Sequence, residues 1–530
     1  MADGSQDHLD DELSWEPPGA GQWWLELEHF PRPVCGLFAD LFPPTVQGWI
    51  RGGRRYGLLM GEPRWAAVNG WLYYSSSPPD REDLPSAAKA ARETLDQETW
   101  RDEITRWREV ERPQVVATNE LLQSVKVAAL ADDQLYGHLI DCLVHFRRVS
   151  PLHFEHRADN IVLGLFLEAL DEAHIDASSV LDWLSVGRGT FTATVPYLDR
   201  IADALDEAQA EPARVIADIE GAGVEPGSAL ADYLARFGWR LLTSRDIGEP
   251  TLIEQPEVVV AAVEARRGRR SRGVAAVPFD QLLDAVPAER RRGLQDLLEA
   301  AREAYSVGDD DEAECLLWPG GLIRRALLEL GPRLVRAGRL QDGADLFEAS
   351  GEELGAMASG GGPAASELAE RARTRQLAAT TAPPPSLGEP IELPELGPLP
   401  EPVARLREIL NRPRVLTGRV EPGSLVGSGV GQGSYRGRAR LVETDPAGLA
   451  SLEPGDVLVV SATTPAYNAV FPIVGAVVTA FGGAASHAAI LARELGIPAV
   501  IGVADALVAI PDGAMIEVDA SAGRVRLKPR

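Results

Sequence analysis

IVGAVVTAFGGAASHAAILARELGIPAVIG, residues 473 to 502, is the stretch whose reading decides the fold. Ile473 to Val478 is apolar and β-branched and reads as a buried strand, broken at Gly482-Gly483 before a helix that begins near Ser486. Ser486 is a good N-cap, the residues from Ala488 to Ala492 favour helix, and Gly496 followed by Pro498 stops it. His487 therefore falls in the first helical turn. Unpaired backbone N–H groups and the positive end of the helix dipole favour a dianionic phosphate there. The small residues from Gly482 to Ala485 leave room for one. For nucleophilic attack one ring nitrogen must be unprotonated, so the other should donate to a local oxygen, with Thr479, Ser486 and turn carbonyls as candidates. His487 is thus the candidate catalytic residue, with Thr479, Gly482, Gly483 and Ser486 as candidate phosphate supports. The residues alone leave a second reading open, in which the histidine belongs to a capped helix and the glycines to a tight turn.

The flanks agree with a small β/β/α domain. Arg438 to Val442 and Asp456 to Val460 read as strands separated by the turn Glu453-Pro454-Gly455. Pro511-Asp512-Gly513 turns into a strand from Met515 to Val518, and Ser521-Ala522-Gly523 into a last one. Val470 to Ala485 is apolar, but Pro472, Gly475 and the nearby Asn468 interrupt it well short of a membrane span.

GGAASHAAILARELGIPAVIG resembles the phosphohistidine signature of the phosphoenolpyruvate (PEP)-utilising enzymes. The resemblance implies a swivelling phosphohistidine domain over 415–530, in which His487 is phosphorylated and shuttles the group between two distant sites. Ala480 departs from the pattern, standing where many members have an acidic residue, a change that bears on histidine basicity. Two further stretches, ALADYLARFGWRLLTSRDIGEPTLIEQPEVV (229 to 259) and the segment 301 to 354 beginning AREAYSVGDDDEAECLLWPGG, resemble the central domain of the rifampicin phosphotransferase family. In that family the central domain holds the acceptor, so a small-molecule acceptor is expected here.

Composition narrows the function classes. The 530 residues leave room for roughly three or four domains. The net charge is −27, and from Val415 onward ten acidic residues face nine basic ones, so nearly all of the excess lies in the N-terminal part. Nucleic acid is excluded as an expected partner. The run Arg266 to Arg272 is the basic exception and reads as a solvated loop. Only Lys89, Lys126 and Lys528 are lysines and none follows a glycine, so no Walker-type loop is possible. The three cysteines, Cys35, Cys142 and Cys315, have no metal or redox spacing and read as buried small residues. The polar, acidic start and the lack of a spanning run predict no membrane association and a cytoplasmic protein.

Residues 15–355 read as a mostly helical acceptor-binding domain after a disordered tail at 1–14. Helical periodicity runs from Leu121 to Phe146, Ile161 to Ala173 and Ser228 to Phe237, and Ala66 to Tyr74 reads as a hairpin. In HFRRVSPLHFEH, whose helix is expected to end at Ser150-Pro151, Arg147, Arg148, His153 and His156 form a candidate acceptor site. Arginines there suit a phosphate and a histidine suits deprotonation of a hydroxyl, beside the plainer reading of a polar helix end. Trp15, Trp23, Trp24, His29 and Phe30 read as core or docking aromatics. Residues 356–414, rich in Ala, Gly and Pro, read as a linker that tethers the carrier.

The expected fold class is multidomain α+β: a mostly helical N-terminal and central domain plus a C-terminal swivelling β/β/α domain. The expected function is a phosphotransferase component, with no metal site or bound cofactor of its own. A separate ATP-grasp partner is expected to bring ATP and Mg2+ and charge His487, a split for which phenylphosphate synthase is a precedent within the resemblance. Two alternatives stand beside it: charging from phosphoenolpyruvate by another protein, and a non-catalytic regulatory relative.

Overall fold

Helix formers at 3.6-residue spacing and short β-branched runs occupy different halves of this sequence, and they build different layers. A computed structural model describes residues 13–175, 184, 194–221, 223–268, 283, 286–390, 397–415, 425–442, 448–449, 451–483 and 486–528. The tail to residue 12 and Arg269 to Arg272 of the basic run lie outside the described residues.

The N-terminal part is a helical assembly with a small sheet on one side, and two apolar clusters fill its interior. Its sheet is antiparallel in the order β2 (Pro63–Val68), β3 (Trp71–Ser76), β1 (Trp23–Leu25), β4 (Ser386–Leu387). The expected hairpin is β2–β3, closed by Asn69 and Gly70 at φ 52° and 81°, the left-handed pair that a tight two-residue turn demands. The helix Asp132–Glu155 runs straight through Pro151, contrary to the expected stop at Ser150-Pro151. Tertiary packing overrides the local signal there. A Cβ at Gly48 would come within 2.0 Å of Pro151 O and one at Gly52 within 2.1 Å of Glu155 O, so the helix Gly48–Tyr56 lies directly on this final turn and holds it.

Residues 356–414 are folded where they are described, which corrects the linker reading. Alanine is the strongest helix former, and the helix Ala365–Ala379 buries Leu368, Ala372 and Ala378. Trp71 Nε1 donates to Ala378 O (3.1 Å), Tyr73 Oη to Pro384 O (2.8 Å), and β4 closes the sheet against Trp23 and Trp24. Those tryptophans are thereby accounted for as sheet residues. The helix Glu401–Val415 buries Val403, Leu406 and Ile409, and Gly164 admits its backbone: a Cβ there would meet Ile409 O at 2.1 Å.

The C-terminal domain is a seven-stranded mixed sheet in the order β11 (Arg524–Leu527), β10 (Met515–Asp519), β6 (Ser434–Arg440), β7 (Val457–Val460), β8 (Ala476–Thr479), β9 (Ala499–Ile501), β5 (Ser428–Val430). Strands β6 to β9 are parallel, and β7, β8 and β9 are buried along their whole length, as a sheet covered on both faces requires. The chain is thus multidomain α+β. One apolar cluster joins Leu198–Val263 of the helical part to Val442, Tyr467, Phe471 and Leu491 of the sheet domain, so the two parts are docked through an apolar face. Among the described residues no helix is long and apolar enough to cross a membrane.

Candidate functional site

Strand β8 leads through Gly482-Gly483 into the helix His487–Leu495 and then into β9, so His487 sits outside the carboxyl ends of parallel strands, where open α/β sheets place their ligands. Ser486 is the N-cap with extended backbone (φ −72°, ψ 160°), and Gly496 ends the helix in the left-handed region at φ 65°. Gly482 adopts φ 103°, which only glycine takes without strain.

The ring is held by two loops that the sequence reading did not single out. Asn468 Oδ1 lies 2.9 Å from Nε2, and Thr463 Oγ1 lies 2.9 Å from Nδ1. With the amide so oriented, Nε2–H donates to Asn468, and Nδ1 is the unprotonated nitrogen that accepts from the Thr463 hydroxyl. The candidate partners turn elsewhere: Thr479 Oγ1 donates to Phe481 O at 2.7 Å, and Ser486 Oγ is buried without a hydrogen-bond partner. Gly482 and Gly483 shape the turn. Phe471 meets the imidazole edge-on at 5.9 Å between centroids. Burial lowers the His487 pKa to about 4, against a smaller upward pull from Glu312, so the ring is neutral at pH 7.

Glu312 belongs to the helical part, and its influence marks what His487 faces. Ser461 Oγ donates to Glu28 O (3.1 Å), Thr243 N to Ala466 O (3.2 Å), and Leu241, Leu317 and Ala466 pack together across the boundary. A cavity of about 260 Å³ lies at this junction. Phe237, Leu241, Leu242, Leu252 and Leu317 form its apolar wall, while Arg112, Arg240, Asp310, Glu314 and Asn468 supply polar groups. That mix suits a small molecule held by an apolar body and a few directed contacts.

Asp310 lies in the last turn of one helix, and Glu314 in the irregular turn that follows it. The helix Ala288–Glu312 continues into Trp318–Arg336 through a single π-helical turn, Ala313–Leu317, a feature that often marks functional sites. The turn frees backbone carbonyls: Glu314 O accepts from Asn119 Nδ2 (2.8 Å) and Leu317 O from Leu241 N (3.2 Å). Arg112 grips both oxygens of Glu314, each at 3.0 Å, and reaches Asp310 at 3.1 Å. Burial, helped by Glu314 and Asp311 and opposed by Arg112 and Arg240, pushes Asp310 up to about 7.

The four tentative acceptor residues do not converge. Arg147 is on the surface with Asp40 (3.4 Å), and Arg148 is exposed beside Thr118 and His145. His153 and His156 enter a buried network: Asp311 takes His153 Nδ1 at 2.7 Å and His156 Nδ1 at 2.6 Å, and Glu111 lies 3.2 Å from His156 Nε2. Burial alone would lower the His156 pKa, but hydrogen bonds to Asp311 and Glu111 outweigh it and raise it to about 10. His156 thus has a carboxylate on each ring nitrogen, an arrangement that favours its charged form over a base. His153 lies nearer the junction, with Arg245 Nη2 at 3.4 Å and Glu312 Oε2 at 3.6 Å from its Nε2. Arg245 in turn grips both oxygens of Glu312 (3.0 and 2.7 Å). Among the described residues, Glu26, Glu28 and His29 place ligand atoms within 4.8 Å of one another, a spacing that a hard cation or a simple ion pair satisfies.

Residues 452–523 match the mobile domain of the PEP-utilising enzymes, and residues 168–312 match the rifampicin phosphotransferase fourth domain. The chain carries the mobile domain of the PEP-utilising enzymes. Among its relatives are the rifampicin phosphotransferase of Streptomyces sp (28% identical over 398 residues, 70% of this chain and 40% of the relative) and that of Bacillus subtilis (27% over 368 residues, 64% and 38%). An uncharacterized phosphotransferase of Bacillus subtilis is 26% identical over 321 residues, 56% of this chain and 36% of the relative. The chain spans about two fifths of the length of these relatives. The family match covers His487 and its two ring partners, Thr463 and Asn468. The match to the fourth domain covers Asp310 and Glu312.

Proposed function

We propose that this chain is a phosphotransferase component in which His487 receives a phosphoryl group and passes it to a small hydroxylated acceptor held at the helical part. One observation carries the reading: a neutral imidazole at the mouth of a parallel sheet, docked against a cavity-bearing helical domain. A desolvated, unprotonated ring nitrogen attacks phosphorus with its lone pair, forming a P–N bond as the donor's P–O bond breaks. In the return step an acceptor oxygen attacks phosphorus, the P–N bond breaks and the imidazole recovers its electron pair. Phosphoryl transfer depends mainly on positioning and charge stabilisation, and both ring nitrogens are positioned here.

The donor is assigned to a partner, an ATP-grasp unit that brings ATP and Mg2+; His487 returns to it by swinging away from the helical part. We place the protein in the cytoplasm, where ATP is available. Rapid quenching of the chain after mixing with a candidate ATP-grasp partner and labelled ATP tests this. Acid-labile label on the wild type and none on His487→Ala is the expected outcome. Label that arrives only from phosphoenolpyruvate would replace the donor, and equal label on both proteins would remove His487 from the mechanism.

A further inference from the structure

Strand β1 carries an aromatic face that the core covers only at one end. Trp24 pairs with Tyr74 and Tyr74 with Trp65 directly across the strands, so the three rings stand on one side of the sheet, with successive centroids 5.9 and 5.4 Å apart. Trp65 meets Phe42 of the core edge-on at 5.1 Å, whereas Trp24 and Tyr74 stay 37% and 36% exposed. On its other flank Trp24 is paired with Ser386, a residue too small to cover an indole. Glu26 follows on the same side: its N–H donates to Leu72 O (3.0 Å), continuing the β1–β3 register, and residues two apart on a strand lie about 7 Å from one another. We propose that this face is a binding site for a small alkylated ammonium compound, whose cationic head rests on Trp24 and Tyr74 and is neutralised by Glu26 and Glu28.

Charge selects the ligand class. Two exposed rings alone would suit any apolar compound, but carboxylates border these. Against the upward pull of burial, His29 holds Glu26 below the usual carboxylate range, so Glu26 is ionised at neutral pH. Glu28 is exposed and pairs with no described residue, and its carboxylate lies within 4.8 Å of the ligand atoms of Glu26 and His29. Burial, then these same two acids, push the Tyr74 hydroxyl up, so both acids act on that ring. An anion is repelled at such a face, and a neutral ligand gains nothing from the acids. An organic cation gains from the acids and from the negative faces of the rings together, the means by which aromatic sites hold quaternary ammonium groups. A small hard cation would use the carboxylates and leave the rings bare, whereas N-methyl groups pack on them. The site lies outside the cavity lined by Asn468, and it adjoins the carrier, because Ser461 Oγ donates to Glu28 O (3.1 Å).

The test is saturation-transfer NMR on the full chain, with choline as the probe and 3,3-dimethylbutan-1-ol, its uncharged isostere, as the control. The N-methyl protons of choline should receive saturation from the protein, and the isostere should bind about fivefold or more weakly. Trp24→Leu should weaken choline binding about fivefold or more. Glu28→Lys, which sets a fixed cation at an exposed position, should abolish it, and this variant decides the matter should Trp24→Leu fail to fold. Equal binding of the isostere, unchanged binding in either folded variant, or no binding of choline overturns the inference. Binding of Mn2+ that Glu28→Gln removes, with no binding of choline, also overturns it and gives the acids to a metal. None of these results bears on His487, whose chemistry the inference does not use.

Discussion

Asn468 Oδ1 and His487 Nε2 are 2.9 Å apart, and the same asparagine lines the cavity at the junction with the helical part. The contact therefore joins the orientation of the nucleophile to the place where an acceptor would wait. In Asn468→Ala the ring loses its Nε2 partner, a loss of about 1 kcal/mol for one hydrogen bond. Single-turnover transfer from the loaded chain should fall roughly fivefold, while the melting temperature stays close to that of the wild type.

Thr463 acts on the opposite nitrogen. Thr463→Val keeps the shape and removes the hydroxyl 2.9 Å from Nδ1, so the ring is held from the Asn468 side alone. Loading of His487 should slow by roughly tenfold, and Thr463→Ser should restore it. Equal loading by Val and Ser variants would remove Thr463 as a positioning residue.

The lowered His487 pKa makes a prediction about pH. Its folded value, about 4, lies below that of an exposed imidazole, so the ring stays unprotonated as pH falls through the usual histidine range. The loading rate, measured with a donor whose own chemistry is pH-independent, should be flat from pH 8 to about 5.5. A break near 6.5 would show that the ring is as well solvated as a surface histidine.

His156 gives the opposite sign. Its folded pKa of about 10 is raised above the unfolded value, so its stabilisation is fully present below about 6.5 and is lost as pH rises through the folded pKa. Thermal denaturation should show the melting temperature declining between pH 7 and 10, with the decline reduced in His156→Gln. At pH 7 that variant should be less stable by about 3 kcal/mol, because a buried carboxylate loses its charged partner.

Gly482 tests the turn. At φ 103°, with a new Cβ only 3.1 Å from Ser486, Gly482→Ala should cost about 1–3 kcal/mol of local strain. His487 loading should fall while the far-ultraviolet circular dichroism stays unchanged.

The carrier domain was legible because its signals are local. Val477 and Val478 mark a buried strand, Gly482 a turn, Ser486 and Gly496 the two ends of a helix, and together they fix where His487 stands. Its ring partners were not legible: Thr463 and Asn468 come from loops whose approach is set by the tertiary fold. In the helical part, nothing in GDDDEAE taken alone marks the cavity that Asp310 and Glu314 line, because that cavity is closed by residues distant in sequence such as Arg112 and Asn468. Proline and alanine between 356 and 414 pointed to a linker, because composition does not show that Leu368 and Ile409 have surfaces to bury against. Arg147 and His156 lie close in sequence, but Arg147 stands exposed on the helix Asp132–Glu155 and His156 is buried just past its end, so their proximity there did not make a site.

The central claim is that one imidazole carries the phosphoryl group, and mapping the modified residue tests it most directly. The chain, charged by its nucleotide-using partner and digested under alkaline conditions, should yield by mass spectrometry a single peptide bearing a phosphoramidate on His487, absent after brief acid treatment. An acid-stable phosphate on a serine or threonine, or a modified peptide that persists in His487→Ala, would contradict the account.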